Sequence, residues 1–248
     1  MKQTRLLMGM PITVEIVDAA ADVAAFDEVY AFFSYVDETF SPFKETSEVS
    51  RINRNELKLE DACDDMRIIM ELAEETRQDT FGYFDVWHNG RFNPSGVVKG
   101  WAIDEAANLL YRKGFRNFYV DAGGDVQVYG LNAEARPWRI GIRNPFNRRQ
   151  VVKTVSMTEG GIATSGLYIR GRHIYNPHND DDPMEEIVSM TVVGVDVLEA
   201  DRLATAAFVM GVDGIQFIEF TPNVEGYMIN RHGQATQTSG FATFLTHA

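Results

Sequence analysis

The 248-residue chain has one cysteine, Cys63, so no intrachain disulfide can form. Asp61, Asp64 and Asp65 crowd that thiol and disfavour its thiolate, which marks it as inert. No apolar stretch approaches the ~18 residues that would suggest a membrane span. Near the start, Leu6-Leu7-Met8 is soon interrupted by Gly9 and Pro11 with no cleavage-like A-x-A, and no cysteine lies in the first sixty residues to carry a lipid. No signal peptide or membrane anchor is therefore expected, and the chain reads as cytoplasmic. Basic residues are scarce, 23 Lys plus Arg against 36 Asp plus Glu, for a net charge of −13. A general nucleic-acid surface needs clustered Lys and Arg, so no nucleic-acid partner is expected, although a local basic pocket remains allowed. The five histidines are scattered without metal-ligand spacing. The Rossmann and Walker phosphate patterns are both absent.

What is present is a core. Hydrophobic residues make up 45% of the chain, with 16 Phe, 9 Tyr and 3 Trp, a composition that packs rather than one that stays disordered. Thr4 to Val17 reads as strand with a break at Pro11. Phe26, Val29, Tyr30, Phe33, Val36 and Phe40 fall at helical spacing after Asp22. A second helix is expected at about 62–79, capped by Asp61 or Asp64, and a third after Pro94-Ser95-Gly96, stopping at Gly114. Strands are expected at Asn117 to Asp121, Asp125 to Tyr129, Trp138 to Arg143, Val151 to Met157 and Ile187 to Val195. Asp196 to Glu199 fits a capping box for a helix ending at Gly211, and a hairpin around Arg231 to Gln234 closes the chain. No repeat and no domain-separating linker is found. The expectation is one α+β unit over residues 1–248, in one body or two lobes.

Glycines and polar residues bunch at element ends: Pro94-Ser95-Gly96, Asp121 to Asp125, and Ala163-Thr164-Ser165-Gly166. Such turns let backbone N–H groups approach an anion, but each is equally an ordinary tight turn. Asp201 and Thr205 stand four apart in an otherwise apolar helix, a carboxylate and a hydroxyl on one face, suited to a hard cation such as Mg²⁺. The alternative is an exposed Asp201 complementing the helix dipole while Thr205 bonds back to a carbonyl. His173 is a candidate acid or base, or a structural histidine.

In order along the chain, these residues resemble the FAD:protein FMN transferases, the ApbE-type flavin transferases. Met8-Gly9-Met10-Pro11 is similar to the opening strand of that family. Ser41-Pro42-Phe43 with Ser47-Glu48-Val49-Ser50-Arg51-Ile52-Asn53 resembles its S-x-aromatic and S-E-x-S-R-x-N segments, and Phe84-Asp85 its F-D element. Gly96 to Asp104 resembles G-x-x-K-G-[YW]-A-x-D, and Gly123-Gly124-Asp125, Trp138 to Ile142, Thr164-Ser165-Gly166, His173-Ile174 and Ala200 to Thr205 match later family stretches.

The resemblance implies an ApbE-like, T-fold-related α/β sandwich of two lobes with an FAD groove between them. It also implies Mg²⁺-dependent transfer of the FMN half of FAD to a Thr or Ser hydroxyl of an acceptor flavoprotein or FMN-binding domain, with release of AMP. Carried over by position, Gly96 (through its carbonyl), Asp201 and Thr205 hold the metal. Met8, Phe43, Asp85, Val86, Trp87 and Asn93 line the FAD groove with Lys99, Asp104, Gly123, Gly124 and Asp125. Ser165, Gly166 and Ile174 face them, and His173 is the candidate for proton transfer. Departures from the family pattern are Asn93 and Asn176 where Asp is usual, Asn179-Asp180 for T-G, and a shortened 85–96 segment. An FAD pyrophosphatase and a catalytically impaired flavin-binding protein are the competing readings.

Overall fold

The computed structural model describes residues 1–166, 174–179 and 181–245. The chain opens with β1 (Lys2–Leu7) and β2 (Met10–Ile16), an antiparallel pair. The break between them falls at Met8 and Gly9, both at positive φ (52° and 71°), and not at Pro11, which lies inside β2 opposite Leu6. Pro11 is the second residue of β2 and stands ahead of that strand's second ladder, which begins at Ile12, so a proline forfeits little there.

Helix α1 (Val23–Phe40) starts where Asp22 accepts a hydrogen bond from the Ala25 N–H at 2.9 Å. Its expected apolar face is fully buried, each Phe or Val contributing roughly 1.5–3 kcal/mol relative to exposure. A short helix, α2 (Glu48–Asn53), was not anticipated. Ser47 caps it, accepting from the Ser50 N–H at 3.0 Å and donating to the Ser41 carbonyl at 2.6 Å. Helix α3 (Asp64–Asp79) begins after Cys63, neither Asp61 nor Asp64 being its cap. Burial pushes the Cys63 thiol up, so it is inert for a further reason.

Two short strands, β3 (Trp87–His88) and β4 (Arg91–Phe92), precede α4 (Ser95–Arg112). Asn53 clamps β4: its side chain donates to the Phe92 carbonyl at 2.9 Å and accepts from the Phe92 N–H at 2.8 Å. Then come β5 (Phe118–Ala122), β6 (Asp125–Tyr129), the hairpin β7 (Trp138–Asn144) and β8 (Asn147–Met157), β9 (Glu159–Ser165) and β10 (Ile187–Gly194). Helices α5 (Val197–Val209) and α6 (Gly214–Phe220) and strands β11 (Glu225–Asn230) and β12 (Ala235–Gln237) complete the fold.

Eight strands form one antiparallel sheet in the order β1-β2-β5-β6-β9-β10-β11-β12. Strand alternation sorts its two faces. Ile12, Val14 and Ile16 of β2 and Phe118, Val120 and Ala122 of β5 pack under α1 and α4. Val126, Val128 and Ile162 face the β7–β8 hairpin through Trp138, Ile142 and Val155. The helix-side residues of β10, Met190 and Val192, pack against α5. Gly161 in β9 leaves room for α5, since a Cβ there would lie 2.0 Å from the Val197 nitrogen. Asp196 accepts from the Glu199 N–H at 2.7 Å, while the Glu199 carboxylate turns to Arg202 at 2.6 Å instead of closing a full capping box. Gln127 of β6 accepts from the Val197 N–H at 2.7 Å and fixes the start of α5 to the sheet. Among the described residues, no helix is long and apolar enough to cross a membrane.

Candidate active site

A cavity of about 550 Å³ opens where the start of α4, the β5–β6 turn, the end of β9 and one face of α5 meet. Lys99, in the second turn of α4, is ion-paired there with Asp125 and, at 3.0 Å, with Asp201 Oδ1. Both carboxylates are nearly sealed from solvent, Asp125 being 3% and Asp201 2% exposed. The second oxygen of Asp125 accepts from the Thr164 N–H at 2.9 Å, so this carboxylate is held by two elements at once. Charged groups this deeply buried are tolerated only when paired and hydrogen-bonded.

Thr205 lies one turn beyond Asp201, and its Oγ1 is 3.1 Å from Ser165 Oγ. Asp201 is therefore not the exposed, dipole-complementing residue of the alternative reading, and the Thr205 hydroxyl shares its hydrogen bond with a side chain from β9. Two carboxylates and two hydroxyls make an all-oxygen donor set around a point that already accommodates a cation, the Lys99 ammonium. Among the described residues, no three His, Cys, Asp or Glu side chains converge. A hard divalent cation that takes its remaining ligands from water and phosphate suits these residues.

The start of α4 forms the adjoining wall. Asn93 donates its N–H to the Val86 carbonyl at 2.8 Å, and its side-chain oxygen accepts from the Ser95 N–H at 3.2 Å and the Ser95 hydroxyl at 2.7 Å. Gly96 is set by contact: a Cβ there would lie 2.8 Å from Cε2 of buried Phe84. The N-terminal end of an 18-residue helix favours negative charge in the cavity.

At the mouth, Phe43 is 93% exposed, and Lys44 beside it pairs with Asp37 at 2.6 Å. Across the opening, the Tyr175 hydroxyl donates to the Asp85 carbonyl, and the Tyr175 ring stacks on His88 with centroids 3.9 Å apart. Burial, reinforced by Asp85, raises the Tyr175 phenol well above its ordinary value, so it stays protonated. Asp85 Oδ1 accepts from the Trp87 N–H at 2.8 Å.

Of the residues singled out from sequence, Met8, Phe43, Asp85, Asn93, Gly96, Lys99, Gly123, Asp125, Ser165, Gly166, Ile174, Asp201 and Thr205 line this one cavity. Val86 points into the core, and Trp87 packs its ring against Phe92 at 5.1 Å. Gly124 borders a second cavity of about 370 Å³, between the sheet and β7, that meets the first at Gly123, Asp125 and Thr164. Asp104 lies further along α4, away from the cavity lining. His173 lies outside the described residues. Asn176 is buried outside the cavity lining, donating to Asp182 at 2.7 Å and accepting from the His178 N–H at 3.0 Å. An Asp at 176 would set carboxylate against carboxylate, which accounts for the Asn. Tyr83, Ser95 and Tyr175 also line the cavity, beyond the residues expected from the sequence. No periodicity marks them, although Ser95 follows Asn93-Pro94 at a helix start, where hydroxyls recur.

The fold is shared with solved flavin transferases. The structure titled flavin transferase ApbE from Vibrio cholerae matches with a TM-score of 0.86 at 23% identity, covering 99% of each chain. The ApbE protein of Thermotoga maritima matches with a TM-score of 0.88 at 20% identity, covering 100% of this chain and 99% of that one. The chain belongs to the ApbE family, whose model matches residues 8–90 and 87–228. A protein of Klebsiella pneumoniae named FAD:protein FMN transferase is 32% identical over 163 residues, 61% of this chain and 47% of that protein. One of Vibrio cholerae with the same name is 36% identical over 126 residues, 47% of this chain and 38% of that protein. The matched region thus spans about half or less of these curated relatives.

Proposed function

We propose that this chain acts as one catalytic unit, a divalent-metal-dependent FAD:protein FMN transferase that joins the FMN half of FAD to a Thr or Ser hydroxyl of an acceptor protein. The observation that carries the reading is the Lys99–Asp125–Asp201 junction with Thr205 and Ser165 beside it, in a cavity rimmed by a helix N-terminus and Gly123 of the β5–β6 turn. Membership of the ApbE family and the names of the relatives support it.

In the proposed reaction the acceptor hydroxyl oxygen forms a bond to the FMN phosphorus. The bridging P–O bond breaks, and AMP leaves with the bridging oxygen. Such a transfer asks the protein for positioning and charge neutralisation more than for covalent chemistry. Asp201 and Thr205, with the Gly96 carbonyl, would hold Mg²⁺, which supplies Lewis-acid stabilisation of charge on the phosphates. Lys99 and the N–H groups at the start of α4 hold phosphate oxygens. Phe43 and Tyr175 offer ring faces at the mouth for the aromatic ends of the dinucleotide. The hydroxyl proton passes to a base, for which His173 is the candidate carried by the resemblance.

The reading is tested by incubating the chain with FAD, Mg²⁺ and candidate acceptor flavoproteins, and measuring protein-bound flavin fluorescence together with AMP. Acceptor-dependent formation of both is expected. AMP and FMN released at the same rate without acceptor would make it a pyrophosphatase instead. Intact FAD under all conditions would make it a binding protein. Asp201→Asn and Thr205→Ala are each expected to lower transfer at least about a hundredfold while circular dichroism stays unchanged, following the loss of a transition-state interaction worth ~2.7 kcal/mol or more.

A further inference from the structure

We infer that Lys99 is a resident cation that makes metal binding at this site conditional on the arrival of the pyrophosphate. The inference rests on the metal site of the proposed function and concerns the order in which the site is loaded.

Its basis is the ammonium ion-paired with Asp125 and, at 3.0 Å, with Asp201, both carboxylates being nearly sealed from water. Two negative charges and one positive leave these three side chains at −1. A divalent cation entering alone would bring them to +1 in a poorly solvated pocket, with two cations contending for the same carboxylates. A divalent cation entering with a pyrophosphate of charge −2 returns the cluster to −1 and gives the ammonium phosphate oxygens in exchange for Asp201. Without Lys99 the carboxylate pair stands at −2, and a divalent cation alone neutralises it.

The surrounding geometry limits escape from this competition. Asp125 is tied by the Thr164 N–H at 2.9 Å. Lys99 rises from the second turn of α4, and Asp201 from a helix whose first N–H is bonded to Gln127 of β6. Lys99 therefore couples two ligands, and by linkage the metal must tighten dinucleotide binding by the same factor.

Calorimetric titration with Mg²⁺ alone, and then with FAD present, on the wild-type chain and on Lys99→Met tests this. The wild type is expected to bind Mg²⁺ at least about tenfold more tightly with FAD than without it. Lys99→Met is expected to bind Mg²⁺ alone at least about tenfold more tightly than the wild type does, with little further gain from FAD. In EDTA, Lys99→Met is expected to melt below the wild type and to recover on addition of Mg²⁺, whereas Lys99→Arg follows the wild type in both measurements. Lys99→Gln is the milder variant, with the same expectation as Lys99→Met. Equal Mg²⁺ affinity in wild type, Lys99→Met and Lys99→Gln overturns the role of Lys99 and leaves the metal site standing. Absence of Mg²⁺ binding from every variant even with FAD overturns both. Mg²⁺ binding that survives Asp201→Asn in the Lys99→Met background places the metal elsewhere and overturns the inference as well.

Discussion

Asp104 is a half-buried acid that the proposed chemistry leaves unused. Burial, then the neighbouring charges of Asp196 and Glu105, push its carboxyl up to about 6, against a hydrogen bond from Asn108 at 2.9 Å. A folded-state value above the unfolded one means that the folded form holds this proton more tightly. The stability so gained is complete below about pH 4 and is lost as the pH rises through about 6. Asp104→Asn should therefore be more stable than the wild type above pH 6, by at most ~3 kcal/mol after allowance for residual solvent contact, and the advantage should vanish near pH 4. Urea titrations at pH 4 and 7.5 measure it. Gly96→Ala is a second case at this scale. Its methyl group meets the Phe84 ring, so either the ring or the start of α4 must shift, and a loss of about 1–3 kcal/mol is expected with weakened FAD binding. Thermal melts and flavin titration read the two effects separately.

Among the elements, the short β4 strand depends on a residue from another segment. Asn53→Ala removes both bonds to Phe92 and leaves its N–H and carbonyl without that partner, at an expected cost of about 1–3 kcal/mol. Because β4 leads directly into Asn93 and α4, the Michaelis constant for FAD should rise more than kcat falls. Helices α1 and α5 were legible in the sequence because apolar periodicity and side-chain caps agree in them, and α4 because its periodicity stops at Gly114. Strand β9 was not: its Gly160-Gly161 start and small residues read as a loop, and the reason for Gly161, the closeness of α5, is a tertiary fact. Helix α2 was hidden by its six-residue length. Asp201 shows the same limit within the site, since its spacing from Thr205 was visible but its burial against Lys99 was not.

At the scale of the whole molecule, the charge of −13 lies over a site proposed to receive an anion. With a pI near 4.8, turbidity should peak close to that pH and decline above it as like charges separate the molecules. Motif order marked most of the cavity lining in the sequence, because a site assembled from element ends leaves short polar and glycine-rich marks there. The second cavity was illegible, because it arises from how the β7–β8 hairpin lies on the sheet. The strand order has a temporal consequence. Apart from the inserted β3–β4 and β7–β8 pairs, the sheet adds its strands in the order of synthesis, so Lys99 and Asp125 can meet while the chain is still emerging. Asp201 and Thr205 come only after β10 has joined. The cluster of Lys99, Asp125, Asp201 and Thr205 is thus incomplete until about four-fifths of the chain has been made.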